Sequence, residues 1–400
     1  MLACRLSIPL FAVALLSGIL AGCTTPNHVY LTWQNDPSTT MTVNFHSPKA
    51  HENVRLLFDD ESHDGEVAAY EQDATGSMHQ IPGLKDGRYI YVIEATNLEP
   101  GETYHFVVAD GDKALTRERR FRPLPPKDAP IRFISGGDMS ILPRAHRMTK
   151  MAGNMNPMFG LIGGDIAYAN GEFKNAWMWD KWLNMWDRNM VTDDGVMIPM
   201  VLALGNHEAN DSEGTPEEVA PFFYGYFAQG GAPYFTKQLR EDTVLIVLDS
   251  GHSVPHGGEQ ATWLEQTLAN HEDTRNTIAV YHAPLYPSHR DFEDGRAVAG
   301  RENWLALFDA HGLRVALENH DHTFKRTKIL RNNEVAEEGT VYLGDGSFGV
   351  SPREIPEPDR WYLEKASGTP HIWLVEIDAD GMKYTAVSES GSTIDEISFE

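Results

Sequence analysis

Thiols are nearly absent from this chain. Its 400 residues include two cysteines, Cys4 and Cys23, both close to the N-terminus. A disulfide framework and a thiolate zinc cluster are thereby excluded from everything that follows. Basic residues are also in short supply, 33 Lys and Arg against 58 Asp and Glu, giving a formal net charge of −25. That balance opposes broad contact with nucleic acid, which clustered Lys and Arg hold. Small anions stay open as ligands, because they need one positive site and not a positive face. Beyond the first twenty residues no apolar run is long enough to span a bilayer, and there is no internal repeat. What remains, 41% hydrophobic, suffices for the cores of a two-domain globular protein.

The N-terminus reads as a processing segment. Arg5 precedes an apolar run from Leu6 to Leu20, and Leu20-Ala21-Gly22-Cys23 follows with small residues before the thiol. The segment resembles a bacterial lipoprotein signal. The resemblance implies that residues 1–22 are removed as a signal peptide, that Cys23 carries lipid, and that the remaining chain forms no disulfide. Thr24 stands where an Asp marks retention at the inner membrane. The expected localisation is therefore the bacterial cell envelope, lipid-anchored at the outer membrane, with the membrane engaged through Cys23.

From about Val29 to Val108 the signals are those of β-structure: His28-Val29-Tyr30-Leu31-Thr32-Trp33, Thr40-Met41-Thr42-Val43-Asn44-Phe45 and Tyr89-Ile90-Tyr91-Val92-Ile93, with a Pro100-Gly101 turn before Tyr104. This pattern resembles a fibronectin type III-like sandwich. Arg122-Pro123-Leu124-Pro125-Pro126-Lys127 is a stiff connection, so residues 23–127 are expected to form the first domain and 128–400 the second.

In the second domain, helical patterns at Gln260–Leu268 and Glu302–Phe308 alternate with short apolar runs, and Val341–Leu343 and His371–Ile377 read as late strands. Four earlier runs, Ile131–Ser135, Met158–Ile162, Met197–Leu204 and Asn276–Tyr281, each lead into a motif rich in oxygen and nitrogen donors. The motifs are Gly137-Asp138, Gly164-Asp165-Ile166-Ala167-Tyr168, Gly205-Asn206-His207-Glu208 and Tyr281-His282, and a fifth follows at Asn319-His320-Asp321-His322. Continuous apolar runs of this length are buried strands, and groups at their C-terminal ends fall in the crevice that open α/β sheets use for ligands. Asp, Tyr, Asn and His together suit two close cations of iron, zinc or manganese character. A carboxylate has two oxygens and can bridge such a pair. Asp165 is the candidate bridge, with Asp138, Tyr168 and His322 completing one cation and Asn206, His282 and His320 the other. His207 adjoins a ligand without needing to be one, which fits it to contact a phosphate or donate a proton to the leaving group.

Order and completeness of these motifs identify the chain as resembling the calcineurin-like metallophosphoesterases, and among them the purple acid phosphatases. In that family's terms Asp138, Asp165, Tyr168 and His322 match the iron(III) ligands, and Asp165, Asn206, His282 and His320 match the divalent-metal ligands. Tyr168 separates this branch from others, which lack a Tyr after the second Asp. The implied fold is α/β, a four-layer metallophosphoesterase sandwich of two mixed β-sheets flanked by helices, preceded by the small all-β domain. The implied cofactors are iron(III) plus a divalent iron, zinc or manganese. The implied activity is hydrolysis of small phosphate monoesters by attack of a metal-bound hydroxide, with His207 and His289 as catalytic residues. His289 is carried over as the nearest equivalent of the substrate-side histidines that follow the family's His-Ala-Pro-Leu-Tyr motif. Two alternatives stand beside this: a phosphodiesterase or pyrophosphohydrolase on the same site, and a non-catalytic surface lipoprotein with a vestigial site. Two positions depart from the family pattern, Ser140 in place of Gly and Asn319 in place of Gly before His320.

Other features take a plainer reading. Trp177, Trp179, Trp182 and Trp186 lie in a helical stretch, Asn175–Met190, and are expected to pack in a core or domain contact. Asp211 to Glu218 reads as a solvated acidic loop. His51, His63 and His79 belong to the first domain and receive no role.

Overall fold

A computed structural model describes residues 27–210, 212–231 and 233–400. The expected lipoprotein signal, with Cys23, lies outside the described residues. Among the described residues, no helix is long and apolar enough to cross a membrane.

The first domain is two antiparallel sheets. One is four-stranded, in the order Val29–Thr32, Met41–Ser47, Tyr89–Ala95, Gly76–His79; the other is built around Val54–Asp59 paired with Tyr104–Asp110. Its last strand ends at Phe121, and the next begins at Ile131 after the Pro-rich connection.

The remainder is the layered α/β fold expected from the sequence. One sheet has six strands: Met200–Leu202, Gly160–Ile162 and Ile131–Gly136 run parallel, and His371–Ile377, Met382–Ser388 and Thr393–Phe399 extend it antiparallel. The second has seven, with a parallel centre of Thr243–Val247, Asn276–Val280, Val315–Leu317 and Val341–Gly344. Side chains alternate across each strand, and the alternation builds the layers. Phe133, Leu161, Val375, Leu245, Val247, Ile278, Val280, Val315 and Leu317 point inward into one shared core between the sheets, which is continuous with that of the first domain. Ile134, Ile162 and Leu202 point outward, under helices Pro143–Gly153 and Ala176–Asn189. Ile246, Ala279, Tyr281, Ala316 and Tyr342 point outward from the second sheet, under helices Glu259–Asn270 and Ala306–His311.

Helix Ala176–Asn189 buries Trp179, Trp182 and Trp186, spaced three and four apart on one face, while Trp177 remains 48% exposed beside Lys181. Three of the four indoles are thus packing, as expected. The acidic loop needs correction. Thr215 caps a short helix, Pro216–Val219, through a reciprocal pair of bonds with Glu218. The local sequence Thr-Pro-Glu-Glu supplies a capping box with Pro at the first helical position, and that chemistry outweighs the acidic composition.

Candidate metal centre

The parallel strands of the two sheets, three in one and four in the other, are followed by the loops that carry the site. The loops are knitted by backbone bonds: the amides of Asp138, Met139 and Ser140 donate to the carbonyls of Gly164, Asp165 and Ile166 at 2.9–3.0 Å. Phe348 and Gly349 amides donate to Gly137 and Asp138 carbonyls in turn.

These loops force backbone conformations that most residues avoid. Asp138, Asp165, Tyr168, His320 and His322, five of the seven expected ligands, have φ between 52° and 80°. Each left-handed residue other than glycine costs about 1–2 kcal/mol, and such residues collect at functional sites. Ser140, at φ 63°, also sits in this region, which explains why glycine suits that place. The Asn319 departure is compensated by contact. Its amide donates to the Tyr281 carbonyl at 3.1 Å and fills space left by Gly163, where a Cβ would lie 1.9 Å from Asn319 Nδ2. Gly346, with φ 65°, lets the chain pass so close to Asp138 that a Cβ would stand 1.7 Å from Oδ2.

The seven expected ligands come together in two groups that share Asp165. In the first, His322 Nε2 is 2.9 Å from Asp138 Oδ1, and the Tyr168 hydroxyl is 3.4 Å from that oxygen and 3.3 Å from His322 Nε2. In the second, His282 Nε2 is 3.2 Å from Asp165 Oδ1, 3.2 Å from Asn206 Oδ1 and 3.0 Å from His320 Nδ1. Asp138, Asp165 and His322 converge closely enough to hold one ion, and so do Asp165, His282 and His320. Donor atoms with lone pairs thus face one another with too few protons between them. The residues fit a pair of cations.

Charge in the site follows from burial and proximity. Burial alone would raise the Asp165 pKa, but His282 overrides it and holds the carboxyl well below the ordinary range. His282 is in turn raised to about 9, the charge of Asp165 outweighing the cost of burial. His320 is pushed far down by burial and by the neighbouring His282. Burial, then the Asp138 and Asp165 carboxylates, raise the Tyr168 phenol, so without a cation it stays protonated.

His207 stacks on Tyr168 with ring centroids 4.0 Å apart, its amide donates to Asp165 Oδ1 at 2.8 Å, and its Nδ1 bonds Asn170 Oδ1. Its Nε2 lies 3.8 Å from Asp165 Oδ2, beside the ligands. His289 has other partners: its amide donates to Asp321 Oδ2 at 2.7 Å and its Nδ1 bonds the Glu354 carbonyl at 2.8 Å.

Several residues that shape the site were given no role in the sequence reading. Glu208, fully buried, accepts from the backbone amides of Asp165, Ile166 and Gly205 at 2.7, 2.8 and 3.0 Å, binding the bridge loop to the Asn206 loop. Burial and the charge of Asp165 raise its pKa to about 8. Asp321 accepts from the amides of Ser288 and His289 and from Arg290. His252, on the loop after Thr243–Val247, packs its ring 5.4 Å from that of His282. Glu208 was visible as part of a motif, but its acceptor role depends on two other loops.

Residues 26–123 match the model of the purple acid phosphatase N-terminal domain, and residues 142–324 match that of the calcineurin-like phosphoesterases. An uncharacterized protein of Mycobacterium tuberculosis is 27% identical over 387 aligned residues, covering 86% of this chain and 68% of that one. Purple acid phosphatase 15 of Arabidopsis thaliana is 22% identical, with 67% of this chain and 57% of that protein covered. In fold, the chain is similar to purple acid phosphatase PPD1 from yellow lupin seeds, with a TM-score of 0.78 at 17% identity over 92% of this chain and 73% of that one.

Proposed function

From a chain that joins a purple acid phosphatase N-terminal domain to a calcineurin-like phosphoesterase domain, we infer an enzyme that hydrolyses small phosphate monoesters at a two-cation centre. The observation that carries this reading is the sharing of one buried carboxylate, Asp165, by two converging ligand groups. Asp138, Tyr168 and His322 would hold one ion and Asn206, His282 and His320 the other. When bound, such a pair supplies positive charge for a phosphoryl group and lowers the pKa of a water. The Tyr168 phenol favours iron(III) at its position, since a phenolate is a hard anionic donor.

The chain's own residues do the rest. Glu208 and the crossed backbone bonds fix the loops, so the site is ordered before substrate arrives. His207 is held at three points, by its amide, by Asn170 and by the face of Tyr168, which leaves Nε2 directed along the ligand edge. A proton delivered from there reaches a departing alcohol oxygen. Its effect should scale with the basicity of that oxygen. We therefore expect His207→Ala to keep both metals and to lower turnover of an alkyl phosphate by about 10²–10³, with a far smaller loss on an activated aryl ester. Equal losses on both substrates would leave His207 a positioning role only.

The function itself is tested by comparing an aryl phosphate with a bis-aryl phosphodiester on one preparation, alongside metal analysis and a visible spectrum. Faster turnover of the monoester, two metal ions per chain and a phenolate-to-iron(III) absorption band are expected. Preference for the diester would move the phosphodiesterase reading to first place. Two bound metals with neither ester cleaved would favour a non-catalytic protein.

A further inference from the structure

Three histidines of the first domain, His28, His46 and His79, lie at a joint to which none of the expected metal ligands belongs. There one face of the four-stranded sheet, with Tyr30 and Ile90, packs with Trp179, Trp182, Tyr226 and Phe227 from the second domain. Three carbonyls at the end of the short helix Pro221–Tyr226 and just beyond it accept from the sheet. Gly225 accepts from His79 Nε2 at 2.7 Å, Tyr226 from the Tyr30 hydroxyl at 2.7 Å, and Ala228 from Thr32 Oγ1 at 2.6 Å. Arg88, 2% exposed, spans the joint. It donates to Asp86 Oδ2 at 2.7 Å and to both oxygens of Asp180, on helix Ala176–Asn189, at 2.7 and 3.1 Å.

Hydrogen bonds fix the state of His46, which is fully buried. The Tyr30 hydroxyl has one proton and spends it on the Tyr226 carbonyl, so it can only accept from His46 Nε2, 2.8 Å away. Across the ring, Arg88 Nη1 lies 3.4 Å from His46 Nδ1, and a guanidinium only donates. Both contacts require the neutral ring, with its proton on Nε2 and its lone pair on Nδ1. His28 and His79 hand their Nε2 protons to acceptors, Asp180 Oδ1 and the Gly225 carbonyl, whereas His46 meets a cation.

A second proton on His46 would stand against that guanidinium in a place water does not reach. The titratable and charged groups around it are Tyr30, His28 and His79 from its own domain, and Arg88 with Asp86 from the turn before Tyr89–Ala95. From the second domain come Asp180 and Tyr226, whose ring centroid is 4.6 Å from that of His46. Both carboxylates already serve Arg88. Burial, then His28 and Arg88, hold the His46 pKa well below its ordinary value. Burial raises the Tyr30 and Tyr226 phenols, which stay neutral in acid. Burial would raise Asp180 too, but its bonds from His28 and Arg88 override this and lower its pKa.

We propose that this joint is an acid-sensitive latch: neutral His46 holds the first domain's four-stranded sheet to helices Ala176–Asn189 and Pro221–Tyr226, and a proton on His46 releases them. A histidine that resists protonation in the closed form takes the proton in the open one. Closure is therefore complete above the ordinary histidine value, about pH 6.5, and is lost as pH falls below it. One proton lowers the closed-to-open ratio about tenfold per pH unit until the closed form itself titrates. Release stays local, because the opposite face of the sheet, with Leu31, Val43 and Ile93, belongs to the core shared with the second domain.

The test is amide hydrogen exchange of the full chain between about pH 7.5 and about pH 5, corrected for intrinsic rates, in wild type and His46→Gln. Glutamine can donate to Tyr30 and accept from Arg88 without titrating. Below about pH 6, protection of Ala176–Asn189 and Pro221–Tyr226 should fall about tenfold more per pH unit in wild type than in the variant. Strand Met382–Ser388, outside the joint, should keep its protection in both. Equal pH dependence in the two proteins, or a wild-type loss that extends equally to Met382–Ser388, would overturn the proposal. If His46→Gln does not fold at neutral pH, exchange of the His46 ring Cε1 hydrogen in wild type decides. Titration well below about pH 6.5 supports the latch, and titration at that value refutes it.

Discussion

Asp165→Asn should reduce phosphate ester hydrolysis by about three or more orders of magnitude and release at least one of the two ions. Asp165 is the one residue common to both converging groups. An amide offers a single oxygen and no charge, so it cannot neutralise two cations as a carboxylate does. The substitution is also unusually clean. Asp165 has φ 52°, a conformation that Asn adopts as readily as Asp, and its amide is held by Glu208 whatever the side chain. Folding should therefore survive, and the loss should be one of chemistry. Removal of metal from wild type with a chelator should reproduce the same inactive state. An Asp165→Asn protein with full metal content and a rate within tenfold of wild type would refute the shared-carboxylate arrangement.

The expected ligands were legible because each is local to a signal. A buried parallel strand is a short apolar run, and Asp138, Asp165, Asn206 and His282 each follow one within a few residues. The layered fold follows from the same runs, since strands buried on both faces need helices outside. What escaped notice depends on contacts between distant loops. Glu208 serves amides 42 and 43 residues away, and Asp321 accepts from amides 33 and 32 residues away. Left-handed backbone at Tyr168 leaves no trace in sequence, because tyrosine does not favour it. His289 was placed by motif position alone, and its partners in the fold, Asp321 and the Glu354 carbonyl, likewise lie on loops distant in sequence.

Lys325 was equally hidden, since a lysine in the short strand Phe324–Thr327 would ordinarily face solvent. It is instead fully buried, with its ammonium 2.5 Å from Glu318 Oε2 and 3.3 Å from Asp345 Oδ2 and bonded to the Tyr286 carbonyl. Glu318 Oε1 accepts from the Tyr281 hydroxyl and the Leu285 amide, on either side of His282, and Asp345 accepts from Ser288. The cluster therefore joins the three loops that carry His282, His320 and the cis-linked Gly344-Asp345 turn. Burial would lower the Lys325 pKa, yet Asp345 and Glu318 raise it above its ordinary value. A lysine raised on folding contributes stability that is complete below its unfolded pKa and is lost only as pH climbs through the folded one, so this contribution is constant across the neutral range. Lys325→Met keeps the length of the side chain and removes the charge, leaving two buried carboxylates without a counter-ion. That change should destabilise the protein by about 3–5 kcal/mol, because uncompensated buried charge costs more than the pair itself contributes. Removing one carboxylate as well, in Lys325→Met with Glu318→Gln, should recover a substantial part. Denaturant midpoints at fixed protein concentration measure both, and metal affinity should fall with the single variant because the His282 and His320 loops lose their common anchor. If Lys325→Met shifts stability by less than about 1 kcal/mol, or the second substitution only adds to the loss, the lysine is not what holds these carboxylates, and the order of the metal loops must come from their backbone bonds alone.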